Sequence, residues 1–308
     1  TWSQRRLQAD VSGPLNSSGT LAARLIFAHD QQDSYLHFNH VNRNVYGAML
    51  SWEIMPHLTA SAGYTRQDND SDGVLWGALP LINSDGSRVN YPVSASTSTD
   101  WTHWNVHDQS AWAELAWAGD NGWQARGRFT YNQRRSDATL LYAYGYPDAT
   151  TGLGVSAVTG NYRSPMEQYL GDFLASGPIS LFGREHSLAF GLSTAKQHSQ
   201  EYEAFSPDTL EYPAVSDWAF NGLDLPQPAY PDPILQEDIN DRVTRAFGAL
   251  HINLIDSLKM VAGASAMWVK TTGDSYAVDQ SRSDSKVSPY VGAVFDATQN
   301  ISLYASYT

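Results

Sequence analysis

Residues 123–134 restrict this chain to few folds, because their alternation produces two faces that no dry core can accept together. On an extended strand, Trp123, Ala125, Gly127, Phe129 and Tyr131 share one side, and Gln124, Arg126, Arg128, Thr130, Asn132 and Arg134 share the other. Arginines turned into an apolar interior carry a heavy desolvation cost. Turned into water they cost little, and the aromatic side is then free to face lipid. The same period-two pattern recurs along the chain. Tyr46, Ala48, Leu50, Trp52 and Ile54 oppose Gly47, Ser51 and Glu53. Leu58, Ala60, Ala62 and Tyr64 oppose Thr59, Ser61 and Thr65. Ile301, Leu303, Ala305 and Tyr307 oppose Ser302, Tyr304, Ser306 and Thr308. Less regular strands fall near 2–11, 20–30, 101–117, 166–177, 186–195, 242–254, 258–270 and 286–296. The total is about twelve strands.

The connections between these strands alternate in length. Short ones are expected at 12–19, 55–57, 118–122, 178–185, 255–257 and 297–300. Long ones are expected at 31–40, 68–100, 135–165, 196–241 and 271–285. A soluble sandwich has no reason to place every long loop at one end. A transmembrane β-barrel does, with tight turns on the periplasmic side and large loops outside the cell. Aromatic residues mark both edges of the apolar band: Trp52, Trp117 and Trp123 near short turns, and Tyr64, Tyr131 and Trp268 near long loops. Trp123 to Tyr131 is roughly 26 Å of strand. At the usual tilt this covers roughly 20 Å along the membrane normal, close to the height of an outer-membrane apolar band.

Composition agrees where it bears on this reading. Mean hydropathy is −0.38, and no apolar run reaches the roughly 18 residues of a transmembrane helix. A barrel strand shows lipid only every second side chain, so its hydropathy stays low. The net charge of −13 gives no basic footprint for nucleic acid. The chain has no cysteine. It carries no G-x-S-x-G or H-E-x-x-H motif and no grouped acid/base pair, so no enzyme is read from it.

Five stretches, taken in order, carry a family resemblance: RRLQADVSGPLNSSGTLAARL, GVLWGALPLINSDGSR, LLYAYGYP, LFGREHSLAFG and KVSPYVGAVFDATQNISLYASYT. The chain resembles the barrel of TonB-dependent ferric-siderophore receptors, in particular the ferric-pyoverdine and ferric-coprogen branch. The resemblance implies an all-β, antiparallel barrel of about 22 strands in a Gram-negative outer membrane. It also implies a plug domain through which the TonB system acts, lipid and lipopolysaccharide as surroundings, a monomer, and an Fe(III)-siderophore as ligand without a covalent cofactor. Neither plug nor TonB-engaging motif is found in residues 1–308, which are expected to be one partial barrel domain truncated at both ends. A passive porin-like or sugar channel is the alternative. Its lumenal constriction is expected to be acidic, whereas these long loops are rich in aromatics.

In the resembled branch, aromatic residues of the barrel and outer loops contact the siderophore. Trp76 matches such a position best, followed by Trp104 and the tyrosines Tyr142, Tyr144 and Tyr146. Trp218 lies in another aromatic loop, with Phe220 and Tyr230. Flat, rigid side chains with a polar tip suit a bulky, partly apolar chelate. Arg134, at the lumenal top of its strand, is expected to pair with a carboxylate or a chelating oxygen. Asp68, Asp70 and Asp72 match the first half of a calcium loop, but Leu79 stands where a bidentate glutamate belongs. His103 and His107, four apart, would lie roughly 13 Å apart on a strand, too far to share an ion. His37 and His40 are expected to be exposed in a polar loop.

Overall fold

The computed structural model describes residues 3–308. Thr1 and Trp2 lie outside the described residues, so the strand expected from residue 2 begins at Gln4. Twelve strands follow one another in chain order across one antiparallel sheet. They are β1 (Gln4–Pro14), β2 (Leu21–Asp33), β3 (His40–Met55), β4 (Leu58–Asp72), β5 (His103–Ala118), β6 (Gln124–Gly145), β7 (Val155–Leu181) and β8 (Arg184–Phe205), then β10 (Ile234–Ile255), β11 (Leu258–Ser275), β13 (Arg282–Thr298) and β14 (Ile301–Tyr307). Two short strands complete the sheet: β9 (Leu210–Glu211) pairs with β7, and β12 (Val278–Asp279) pairs with β11. The helix α1 (Val215–Asn221) is a two-turn element inside a long loop.

The register keeps the two faces separate across the sheet. The outward set passes from Leu50 to Ala62, from Ala62 to Ala113, from Ala113 to Phe129 and from Phe129 to Gly171. Because the side-chain period is two, a slip of one residue would turn Arg126 and Arg128 into lipid and Phe129 into water. The opposite face is wet and charged. Glu114 lies 3.9 Å from Arg126 and 3.8 Å from Arg128. The Arg128 guanidinium also sits 4.3 Å above the Trp112 ring. Outward aromatics form a belt at the long-loop end, with ring contacts of 5.6 Å for Phe27–Tyr46 and 5.1 Å for Tyr131–Tyr169.

Loop positions follow the expected alternation, but the long loops are shorter than the sequence pattern indicates. They span 34–39, 73–102, 146–154, 206–233 and 276–281. Strands β6, β7 and β8 continue well above the aromatic belt. Alternation of apolar and polar residues fades there because neither face meets lipid and one of them packs under the loops. Backbone hydrogen bonds need no such pattern and carry the ladder to Gly145↔Val155.

Among the described residues, the one dry core is in the loops. Val89 and Ala95 of loop 73–102, Leu141 and Ala143 of β6, Val155 and Ala157 of β7, and Tyr212, Val215, Trp218, Ala219 and Leu223 of loop 206–233 pack as one cluster. Two backbone bridges tie the loops to the hairpin: Trp76 pairs with Tyr142 at the free edge of β6, and β9 pairs with Ser156 and Ala157 of β7.

Candidate ligand-binding site

Above the membrane band, even-numbered residues of β5 and β6 continue the face that carries Arg126 and Arg128 lower down. Trp104, Arg134, Tyr142 and Tyr144 are all on this face, through the pairs Trp104↔Ala138 and Asp108↔Arg134 on one side and Tyr142↔Val158 and Tyr144↔Ser156 on the other. Trp104 donates its indole N–H to the Ser136 hydroxyl at 2.9 Å. Arg134 grips Asp108 with both ends of its fork, Nε to Oδ1 at 2.7 Å and Nη2 to Oδ2 at 3.3 Å. The carboxylate expected as its partner is therefore the protein's own.

Trp76 reaches the same face from loop 73–102. Its ring meets Tyr142 at 5.6 Å and Tyr162 at 5.5 Å, both edge-on. Tyr162 in turn meets Phe205 edge-on at 5.9 Å. Four aromatic rings from a loop and three strands thus make a continuous wall at the extracellular end. Edge-to-face pairs of this kind contribute about 0.5–1.5 kcal/mol each beyond their buried area. Trp76 is half-buried, whereas Tyr142 and Tyr144 keep over two-fifths of their surface exposed. Tyr146, beyond the strand end, is more exposed still.

An acidic group borders this wall. Glu203 stands opposite Tyr162 on the neighbouring strand, and Glu201 stands opposite Glu237. The Tyr276 hydroxyl donates to Glu203. Tyr276 and Ala277 both have positive φ, 50° and 61°, the pair of left-handed residues that a tight hairpin turn requires. That turn swings the Tyr276 ring across two strands. The Glu203 bond, together with burial, pushes the Tyr276 phenol up to about 12. Burial, then the neighbouring Glu203 and Glu237 charges, push the Glu201 carboxyl above the usual range.

The structure parts company with the sequence reading at three places. Trp218 has no exposed surface and stacks on Tyr212 at 5.3 Å and Tyr91 at 5.7 Å. It holds loops together and presents nothing to a ligand. Asp68, Asp70 and Asp72 lie on β4 and not in a loop. Successive same-face positions on a strand are roughly 7 Å apart, too far for three carboxylates to close on one ion. Asp68 is instead bound by Arg66 at 2.9 Å and His107 at 2.8 Å, and no metal-holding group of three acidic, His or Cys residues occurs among the described residues. His37 is half-buried, with Nε2 enclosed and unpartnered, while His40 pairs with Asp33 at 2.7 Å. His103 and His107 do lie on a strand, as expected, and each has its own aspartate, Asp137 and Asp68.

Tyr162, Phe205, Tyr276 and Glu203 escape sequence reasoning. Tyr162 and Phe205 lie in segments whose alternation is too weak to read as strand. Tyr276 joins through a turn whose partner is 73 residues away.

An open run of antiparallel strands, lipid-facing on one side and charged on the other, is the wall of an outer-membrane β-barrel, with its long loops at one end. The family model described as "TonB dependent receptor-like, beta-barrel" matches residues 51–308, and the chain belongs to that family. It is similar to the ferripyoverdine receptor of Pseudomonas aeruginosa, 28% identical over 315 residues, covering 100% of this chain and 37% of the relative. It is also similar to the ferric-pyoverdine M114 receptor PbuA of Pseudomonas sp. strain M114, 25% identical, covering 100% of this chain and 38% of that protein. The crystal structure of the P. aeruginosa outer-membrane ferripyoverdine receptor bound to ferripyoverdine superposes with a TM-score of 0.88 at 26% identity, covering 99% of this chain and 40% of that one. The chain therefore spans about two-fifths of the length of the relatives it matches.

Proposed function

We propose that this chain contributes wall and outer loops to an outer-membrane receptor that binds a ferric siderophore for TonB-energised import. The observation that carries the reading is the aromatic wall of Trp76, Tyr142, Tyr162 and Phe205, facing inward at the extracellular end. Rigid rings held by one another give contact area with little conformational entropy left to lose on binding. Trp104, Tyr144, Tyr146 and the Arg134–Asp108 pair extend the surface on the same side of the barrel mouth. The likeness to ferric-pyoverdine receptors supports a large ferric chelate as ligand and does not favour a passive channel. Iron arrives already chelated, so the protein needs no iron ligands of its own.

The test is iron-limited growth of a strain deprived of its other siderophore receptors and supplied with the full-length gene. Growth is expected with at least one ferric pyoverdine-type chelate. Trp76→Ala is expected to weaken its binding by about tenfold, the equivalent of about 1.4 kcal/mol. Absence of growth across a panel of ferric siderophores counts against the proposal.

A further inference from the structure

The turn that joins β11 to β13 is strapped sideways across β10. The Tyr276 amide donates to the Gln236 carbonyl of β10 at 2.7 Å, and the Tyr276 hydroxyl reaches past that strand to Glu203 of β8. The Ser275 hydroxyl donates to Glu237 of β10 at 2.8 Å. At the foot of the turn, Gly273 has a φ of +124°, and a Cβ there would collide with the Asp238 carbonyl oxygen. Glycine alone lets the chain press this closely on β10, and it gives the turn a pivot. Above it, β12 and a bond of 2.9 Å from the Gln280 amide to the Gly273 carbonyl close the hairpin. Two side-chain bonds, to Glu203 and Glu237, thus tie a compact turn to the barrel wall.

Both acceptors flank a third carboxylate. Glu201 stands directly opposite Glu237 across β8 and β10. Glu203 is two residues further along β8, roughly 7 Å away. All three are on the lumenal side, and Glu203 is only 5% exposed. Glu203 takes Tyr276 and Glu237 takes Ser275, whereas among the described residues no donor meets Glu201. From β7, the Tyr162 phenol stands opposite Glu203, and the Tyr276 phenol covers the cluster from the turn. Asp241, lower on β10, is bound by Thr271. Arg163 of β7 is on the outward face, with its guanidinium over the Tyr202 ring. Burial first, then the charges of Glu203 and Glu237, both of its own sign, raise the Glu201 carboxyl. Like charges directly opposite one another oppose the pairing that brings them together.

We propose that Glu201 is the proton sensor of a latch: protonated Glu201 lets the Ser275–Tyr276 strap close beside the aromatic wall, and ionised Glu201 loosens it. A proton that enters the cluster settles on Glu201, because donors already favour the ionised form of the other two carboxyls. It removes one of three like charges and makes Glu201 a hydrogen-bond donor. Lifting the strap admits water and returns Glu201 toward the ordinary glutamate range. The closed form therefore holds the proton more tightly than the open one. A carboxyl raised in the closed form favours closure fully below the ordinary glutamate pKa of about 4.3, and the effect is lost as pH rises through the raised value. The Tyr276 phenol, pushed up to about 12, remains a donor throughout. Glu203 stands opposite Tyr162, so the strap borders the proposed chelate surface, and closure slows chelate loss. That consequence rests on the function proposed above, whereas the latch itself does not.

The experiment is hydrogen exchange of the amides in 274–281 on the full-length receptor without chelate, at about pH 5 and about pH 7.5, read by mass spectrometry and divided by intrinsic rates. Wild-type protection is expected to be about tenfold greater at the lower pH. Glu201→Gln, an uncharged mimic of the protonated form, is expected to keep the high protection at both, and Tyr276→Phe the low protection at both. Heat-modifiable migration checks that each variant folds. Equal wild-type protection at the two pH values, or a folded Glu201→Gln variant with the full wild-type pH dependence, would overturn the latch. With a ferric pyoverdine-type chelate bound, Glu201→Gln is expected to release it several-fold more slowly than wild type at the higher pH and equally fast at the lower. Comparing variants at one pH removes the chelate's own titration. Equal release at the higher pH would overturn the link between latch and mouth. A receptor that binds no ferric chelate counts against the proposed function, and the exchange profile still decides the latch.

Discussion

Trp76 and Trp218 are both loop tryptophans, and burial alone separates their roles. Trp76 is half-buried against Tyr142 and Tyr162, whereas Trp218 is wholly enclosed, with Tyr91 and Tyr212 against its ring. Trp218→Ala is expected to cost about 3–5 kcal/mol of local loop stability, as buried aromatic truncations do. Protease nicking within 206–233 should rise accordingly, with the barrel itself still folded. Asp148 at the tip of the β6–β7 hairpin is a second residue with a defined job. Its Oδ1 accepts from the amides of Thr150 at 2.9 Å and Thr151 at 2.8 Å. These bonds hold its carboxyl below the usual range. A depressed carboxylate contributes stability that is full above its ordinary pKa and disappears as pH falls through the folded value. Amide exchange at Thr150 and Thr151 is therefore expected to quicken below about pH 4. In Asp148→Asn the exchange should be insensitive to pH in that range once intrinsic rates are subtracted.

At the level of elements, loop 73–102 is anchored at its base by Gly73. Its N–H donates to the Thr102 carbonyl at 2.7 Å, and its own carbonyl accepts from the Ser98 hydroxyl at 2.8 Å. Its φ is +58°, and a Cβ there would come within 2.3 Å of the Phe38 backbone. Left-handed geometry alone costs a non-glycine residue about 1–2 kcal/mol, and the overlap adds to it. Gly73→Ala is expected to unseat the loop that delivers Trp76, weakening chelate binding and exposing 73–102 to protease. Unchanged affinity in that variant would mean that Trp76 is positioned by its ring contacts alone. The long hairpin β6–β7 is the other decisive element. One face of its upper part carries the loop core through Leu141, Ala143, Val155 and Ala157, and the other presents Tyr142 and Tyr144. Above the membrane, the hairpin thus separates the loop core from the face that carries Tyr142 and Tyr144.

For the molecule as a whole, the sheet runs from β1 to β14 with one free edge on each. Unpaired backbone N–H and C=O groups cost several kcal/mol each in hydrocarbon. Residues 1–308 expressed alone are therefore expected to form no stable barrel in outer membranes. Heat-modifiable, protease-resistant migration of that polypeptide would disprove this. In the middle of the sheet the lumenal residues Trp112, Arg128 and Glu114 satisfy one another through contacts between neighbouring strands.

Much of the architecture is legible in residues such as Arg126, Arg128 and Phe129. A period of two, charge on one side and aromatics on the other, has one physical solution in a membrane, and the long-short loop rhythm orients it. Of the seven proposed contact residues, Trp104, Arg134, Tyr142 and Tyr144 share one face because strand parity carries through β5 and β6. Trp76 reaches that face from loop 73–102, although the sequence pattern places Trp76, Tyr142 and Tyr144 in loops. What parity cannot reveal is partnership across distant strands and loops. Trp218 became a packing residue, and Tyr162 and Phe205 became part of the wall. Each of these depends on register between segments far apart in the chain. The side a residue faces is a local property, written in its neighbours. The residue it meets there depends on how the strands align, which only the folded sheet decides.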